Sequence, residues 1–130
     1  MKQSLQQHEY AVFALEVRKT ETSFSNAQEI IEYLKQQIDN HDTAQFIATF
    51  DHYNHTKNLP EGQIADEINN ALNIIFCFGI TLPDPNVMAV RPRSIGVAEM
   101  EDEFLITFME APMPVANITM ESWVKAIINT

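Results

Sequence analysis

The residues best suited to chemistry form one polar cluster at the end of a predicted strand, Asp51-His52-Tyr53-Asn54-His55-Thr56. Strand ends that open into loops are common positions for binding groups. His52 and His55 stand three positions apart beside the carboxylate of Asp51, and imidazole and carboxylate are ligands for zinc and other transition metals. The spacing differs from H-E-x-x-H, which puts two His on one helical face. Two interpretations follow: a metal site at His52 and His55, or a turn capped by Asp51 with one His partly solvated.

A second candidate is the basic segment Arg91-Pro92-Arg93-Ser94. Ten Asp or Glu residues lie between positions 58 and 124, and the two arginines are the only basic residues there. Guanidinium groups match carboxylate and phosphate oxygens in two-point geometry, while Pro92 stiffens the spacer and Ser94 adds a hydroxyl donor. The pattern predicts an anionic ligand. The alternative is a structural ion pair with one of three carboxylates: Glu110, Glu99 or Asp51.

Glu110 is the third candidate, because it follows a predicted strand with one apolar face and precedes a Pro-rich loop. An acid in that place is suited to the mouth of a cleft, as a ligand or a general base. It is equally suited to the edge of a sheet, where a charge discourages edge-to-edge aggregation. The sequence leaves both interpretations open.

Several common site types are excluded by the sequence. The chain has only three glycines, no Gly-rich phosphate loop and no G-x-S-x-G motif, so nucleotide binding by a standard loop is not expected. Its single cysteine, Cys77, cannot form an internal disulfide. Because Cys77 has no neighbouring cation, we expect its thiol to be buried and unreactive. No cofactor is indicated apart from a transition metal at the His cluster.

Composition and charge restrict the class of protein. The 130 residues fit a single domain, 1–130, and the net charge of −10 makes nucleic-acid or membrane-surface binding unexpected. No apolar run approaches the ~20 residues that span a bilayer, and the polar start lacks the apolar segment of a signal peptide. We therefore expect a cytoplasmic protein.

The apolar spacing predicts alternating strands and helices. The first half should contain a strand at 10–18, a helix from a Ser25–Gln28 capping box to about Asn40, and a strand at 44–53 with Phe46, Ala48, Phe50 and His52 on one face. The second half should contain the following elements: a helix from Pro60 or Glu61, a strand at 74–78, a strand at 87–91, a hairpin of 95–99 and 104–110 that turns at Glu101-Asp102, and a helix capped by Asn117. This order predicts an α+β two-layer sandwich, one mostly antiparallel sheet with two to three helices on one face.

Several blocks also occur in the order seen in a known family. They are Phe46-Ile-Ala-Thr-Phe-Asp51-His52, Ile74-Ile-Phe-Cys-Phe-Gly79, Ile95-Gly-Val-Ala, Phe104-Leu-Ile-Thr-Phe108 and Glu110-Ala-Pro112. Over residues 44 to 112 the chain resembles the bacterial and archaeal domain of unknown function three-hundred-and-two. The chain departs from that family after Gly79, where Ile80-Thr-Leu-Pro-Asp-Pro stands in place of Asn-Pro. It also has its own Arg91-Pro-Arg93-Ser94-Ile-Gly motif, which suggests a separate uncharacterised bacterial family with a similar fold. The resemblance implies a two-layer α/β domain, often a homodimer, with no established activity and with Asp51 and His52 lining a common site.

Three functions from different classes are consistent with these residues. The leading hypothesis is a non-catalytic binding module for a small anionic ligand or a protein partner, with these site residues: Asp51, His52, His55, Arg91, Arg93, Ser94 and Glu110. The second is a metal-dependent enzyme or metal-binding protein that uses the Asp51-His52-x-x-His55 cluster. The third is a structural interaction or dimerisation protein with a Met-rich apolar surface, in which a homodimer is the expected partner.

Overall fold

The computed structural model describes residues 1–129, and its strands form one five-stranded antiparallel sheet in the order β1-β5-β4-β3-β2. The strands are β1 Val12–Arg18, β2 Gln45–Asp51, β3 Asn70–Cys77, β4 Arg93–Glu99 and β5 Glu103–Met109. The helices are α1 Ala27–Asp39, α2 His52–Lys57 and α3 Pro114–Lys125, with 3-10 helices at Lys19–Glu21 and Pro85–Val90. Among residues 1–129, no helix has both the length and the apolar character needed to cross a bilayer.

The central strands form because their apolar residues alternate. In β3 and β5 every second side chain is buried, among them Ile74, Phe76, Phe104 and Ile106. A period of two places these side chains on one face of the sheet. α1 and α3 cover that face with the buried side chains Ala27, Ile30, Ile31, Leu34, Ile38, Ala116, Met120, Trp123 and Val124. The predicted two-layer α+β sandwich is therefore confirmed.

The opposite face of the sheet is only partly covered. Val12 and Met109, on β1 and β5, are 67% and 47% exposed. At one end this face meets α2 and the segment 63–68, and at the other end it meets the 3-10 helix Pro85–Val90. We call it the open face.

Four predicted elements differ from the structure. The helix expected from Pro60 is wrong, since residues 60–69 form turns and β3 begins at Asn70. Gly62 lies directly against the end of α2, where a Cβ atom would be only 1.8 Å from the carbonyl oxygen of Thr56. The strand expected at 87–91 is also wrong, because a 3-10 helix capped by Asp84 occupies Pro85–Val90.

The third and fourth corrections concern β2 and α3. A bulge between Phe46 and Ala48 puts Phe46 opposite the buried Phe76 and moves Ala48 and Phe50 to the open face, so the predicted common face of these three residues is wrong. α3 begins at Pro114 instead of Asn117. The Asn117 amide instead accepts from the backbone N–H of Ala111 and donates to its carbonyl oxygen, at 2.6 and 2.8 Å.

The cap of α1 is Asn26, one residue after the predicted Ser25. The Asn26 side chain accepts from the backbone N–H of Glu29 at 2.9 Å, and the Glu29 carboxylate accepts from the backbone N–H of Ser25 at 2.7 Å. We expect Asn26→Ala to lower the free energy of unfolding by about 1 kcal/mol, because the N–H of Glu29 loses its partner. Ser25→Ala is the matched control, since Ser25 contributes only its backbone N–H. Equal losses in urea unfolding of both variants would contradict this assignment.

Candidate functional site

Asp51 is the last residue of β2 and caps α2. One of the two interpretations of the cluster was a turn capped by this residue. Its carboxylate accepts from the backbone N–H of Asn54 at 3.0 Å and from the Asn54 side-chain amide at 2.7 Å. These two hydrogen bonds stabilise the ionised carboxylate and hold the pKa of Asp51 below its ordinary value. The hydrogen bond from the backbone N–H has the larger effect, and that from the side-chain amide the smaller. The carboxylate is therefore engaged within α2.

His52 and His55 both pack on the ring of Phe50, with centroid distances of 5.1 and 5.3 Å. Nδ1 of His52 also lies 3.0 Å from Oδ1 of Asn73 on β3. Within residues 1–129, no group of three or more His, Cys, Asp or Glu side chains is arranged to hold a metal ion. Structural zinc sites use four protein ligands and catalytic sites three, so a metal held by His52 and His55 would need further ligands.

The two arginines bind backbone carbonyl groups. Nη1 of Arg91 donates to the carbonyl oxygen of Thr81 at 2.7 Å, and its Nη2 lies 3.8 Å from Sδ of Met113. Arg93 donates through Nη1 to the carbonyl oxygen of Val90 at 2.9 Å and through Nη2 to that of Met109. Its Nε is buried and has no hydrogen-bond partner among the described residues.

Neither arginine forms the expected ion pair. Within residues 1–129 the ion pairs are Lys19–Glu99, Lys35–Asp39 and Lys125–Glu121. Arg93 is only 7% exposed, and burial lowers the pKa of its guanidinium because desolvation penalises the charged form. A buried charge is ordinarily balanced by an opposite charge, so Arg93 is an exception in this protein.

Arg91 and Arg93 border one cavity, which we call the arginine cavity. It measures about 200 Å³ and lies between the 3-10 helix and the start of α3. Its lining residues are Phe78, Pro83, Val87, Val90, Arg91, Arg93, Ala111, Pro112, Met113 and Ala116. Phe78 is held in place by stacking on Trp123 of α3, with ring centroids 5.3 Å apart. Phe78, which follows β3, and Ala116 of α3 therefore form part of the apolar wall.

Ser94 belongs to a different group. It is the neighbour of the buried Arg93 on β4, and alternation turns its side chain to the open face. There its Oγ accepts a hydrogen bond from Nδ2 of Asn73 at 3.1 Å, and Oδ1 of Asn73 contacts His52. The structure thus joins His52 to Ser94 through Asn73.

The seven predicted site residues do not surround one cavity. Arg91 and Arg93 line the arginine cavity, whereas His52 borders a separate hollow beside Ile64 and Ala71. Glu110 is absent from the lining of both, and its backbone N–H donates to the carbonyl oxygen of Ala11 at 2.8 Å. The expected meeting of the imidazoles and the guanidinium groups is therefore not observed.

Sequence reasoning missed Asn73, although a signal was present. Asn73 is the one polar residue in the buried run from Leu72 to Phe78, and an amide within such a run indicates a hydrogen-bonded position. Cys77 also differs from expectation: its side chain is half-buried instead of buried, with Sγ 3.7 Å from the carbonyl oxygen of Phe78.

Comparison with known proteins identifies a family for the chain. A profile described as "Family of unknown function (DUF6858)" matches residues 1–129, and the chain belongs to this family. No curated protein and no solved structure matches the chain significantly. The family differs from the one that the strand blocks resemble, and that resemblance is not shown.

Proposed function

We propose that this member of DUF6858 is a non-catalytic binding domain that holds a small carboxylate with an apolar body in the arginine cavity. One observation carries the proposal. Arg93 is a buried cation beside this cavity, without a carboxylate partner among residues 1–129 and with an unbonded Nε.

The donors that remain on the two guanidinium groups favour an anion. A guanidinium has five N–H groups, and Arg93 uses one from each of Nη1 and Nη2 for backbone carbonyls. Arg91 likewise gives one N–H to Thr81. The carbonyl dipoles compensate only part of the charge, and a carboxylate would supply the missing opposite charge with hydrogen bonds about twice as strong as neutral ones.

The walls of the cavity indicate an apolar ligand body. Apart from the two arginines, every lining residue is apolar. The volume of about 200 Å³ equals that of roughly seven water molecules, which suits a short branched acid. Burial of that body would add the hydrophobic contribution that an exposed ion pair lacks.

The same lining argues against catalysis in this cavity. Among residues 1–129, the lining includes no Ser, Thr, Cys, His, Asp, Glu, Lys or Tyr. These are the side chains that act as nucleophiles or as general acids and bases in enzymes. Two guanidinium groups that remain protonated can bind and orient an anion, but they cannot exchange a proton with it near neutral pH.

The test uses isovalerate and its uncharged analogue isovaleramide, which share one apolar body. We expect isovalerate to shift the NMR signals of the Arg91 and Arg93 side chains and to saturate with a Kd of ~1 mM, while isovaleramide leaves the Arg91 signals in place. Arg91→Gln should weaken isovalerate binding about tenfold, because it removes a charge-assisted hydrogen bond. Lys35→Gln, which removes a cation paired with Asp39 on α1, is the control. Equal shifts of the Arg91 signals by acid and amide, or unchanged isovalerate binding by Arg91→Gln, would refute the proposal.

A further inference from the structure

The open face carries a further hollow, of about 310 Å³, which shares Val90 and Arg93 with the arginine cavity. Its floor is Gly96, and its polar residues are Asn73, Ser94 and Thr107. The apolar walls come from Val12, Ala89, Val90, Pro92 and Met109, with Arg93 and Phe108 completing the lining. We call it the glycine notch.

Gly96 leaves room for a ligand atom between two polar side chains. Strand pairing aligns Asn73, Gly96 and Thr107 in one row across β3, β4 and β5. A Cβ atom at Gly96 would lie 3.3 Å from Nδ2 of Asn73 and 3.4 Å from Oγ1 of Thr107. Nδ2 of Asn73 and Oγ1 of Thr107 therefore flank the space above Gly96, and a ligand atom in that space can contact both.

The hydrogen bonds leading to the notch have a direction. Because Oδ1 of Asn73 can only accept, Nδ1 of His52 must carry the proton of the bond that joins them. Asn73 then donates through Nδ2 to Oγ of Ser94, which leaves the Ser94 hydroxyl hydrogen free to donate outward. Bonds in such a chain polarise one another. The chain therefore presents a strengthened donor to the notch.

The polar groups of the notch fit an uncharged ligand that both accepts and donates. Ser94 and the second Nδ2 hydrogen of Asn73 offer donors, and Oγ1 of Thr107 offers lone pairs. The three polar side chains around the space above Gly96 are uncharged, because Asn73 carries an amide and Ser94 and Thr107 carry hydroxyl groups. A carboxamide combines a carbonyl acceptor with N–H donors, and its apolar substituent suits walls of Val, Pro and Met.

We propose that the glycine notch binds a carboxamide group that carries a small apolar substituent. The carbonyl oxygen accepts from Ser94 and Asn73, and the amide nitrogen donates to Thr107. A free primary amide and a secondary peptide-type amide share this chemistry. The proposal does not rest on the carboxylate proposed for the arginine cavity, because its hydrogen-bonding residues Asn73, Ser94 and Thr107 line the notch and not that cavity.

Titration with isovaleramide, followed by backbone and side-chain NMR, tests the proposal. We expect saturable shifts at Gly96, Ser94, Thr107 and the Asn73 side-chain amide. Gly96→Ala should abolish these shifts, because its methyl group occupies the place of the ligand atom. Ala98→Ser, two residues further on the same face of β4, is the matched control and should bind normally.

Ser94→Ala provides a second test if Gly96→Ala does not fold. It removes one neutral hydrogen bond and should weaken isovaleramide binding about fivefold. N-methylisovaleramide separates the two ligand sources: binding as tight as that of isovaleramide indicates a peptide-type amide, and loss of binding indicates a primary amide. Isovaleramide shifts that persist in both variants, or equal shifts at Gly96 with isovalerate, would overturn the proposal. If isovaleramide produced no shifts at Gly96 while isovalerate still shifted Arg91, the carboxylate proposal would stand and only this one would be refuted.

Discussion

Arg93→Met is expected to abolish measurable isovalerate binding, with a loss of about 30- to 150-fold in affinity. The physical reason is the removal of the buried cation that has no carboxylate partner in residues 1–129. Hydrogen bonds to charged groups contribute about 1.5–3 kcal/mol each. A loss of about 2–3 kcal/mol of binding free energy corresponds to the 30- to 150-fold loss in affinity. The measurement is isothermal titration calorimetry at low ionic strength, where screening is weakest.

Arg93→Lys is the matched control for charge. Lysine keeps the positive charge but cannot span the carbonyl oxygens of Val90 and Met109 with a planar fork. We expect its affinity to lie between those of the wild type and of Arg93→Met. Urea unfolding of each variant separates a change in binding from a change in stability. A folded Arg93→Met protein that binds isovalerate as tightly as the wild type would remove the basis of the proposed function.

Trp123→Ala is expected to lower the free energy of unfolding by about 3–5 kcal/mol. Trp123 is buried on α3, stacks on Phe78 and meets Phe76 and His41 edge-on. Its removal opens a cavity where α3 contacts the sheet, and the surrounding side chains can collapse only partly. Since domains of this kind have free energies of unfolding of about 5–15 kcal/mol, this loss is a large part of the total stability.

Two control variants define this effect, which is measured as the shift in the urea midpoint. Trp123→Phe keeps an aromatic ring against Phe78 and should lose clearly less stability than Trp123→Ala. Ser122→Ala changes an exposed neighbour on the same helix and should stay within about 0.5 kcal/mol of the wild type. A loss below 1 kcal/mol for Trp123→Ala would contradict the packing of α3 described above.

The elements with unambiguous periodicity could be predicted from the sequence. β1, α1 and the β4–β5 hairpin are close to their expected positions, because their side chains repeat every second or every third to fourth residue. The helix expected at 60 failed for a physical reason. Ile64, Ile68, Ala71 and Leu72 match a helical stripe, but Ala71 and Leu72 begin the alternation of β3. Pairing of β3 with both β2 and β4 decided between the two patterns.

The candidate site could be predicted only in part. The isolation of Arg91 and Arg93 in an acidic segment is visible in the sequence, and both line one cavity. Their hydrogen-bond partners are backbone carbonyl groups. Because every residue has one, the residue types do not show which carbonyl groups the arginines bind. The cluster at Asp51 was placed correctly at a strand end, yet its carboxylate caps α2.

The amino-acid sequence alone determined the class of fold, the negative net charge and the two arginines as an unusual pair, because local periodicity and composition encode these properties. Only the tertiary structure decided which groups meet. His52 and Asn73 are 21 residues apart, as are Asn73 and Ser94, and the β-strand register brings each pair into contact. The register of paired strands depends on long-range packing of the buried face, and a shift by one residue would turn every one of these side chains to the other side.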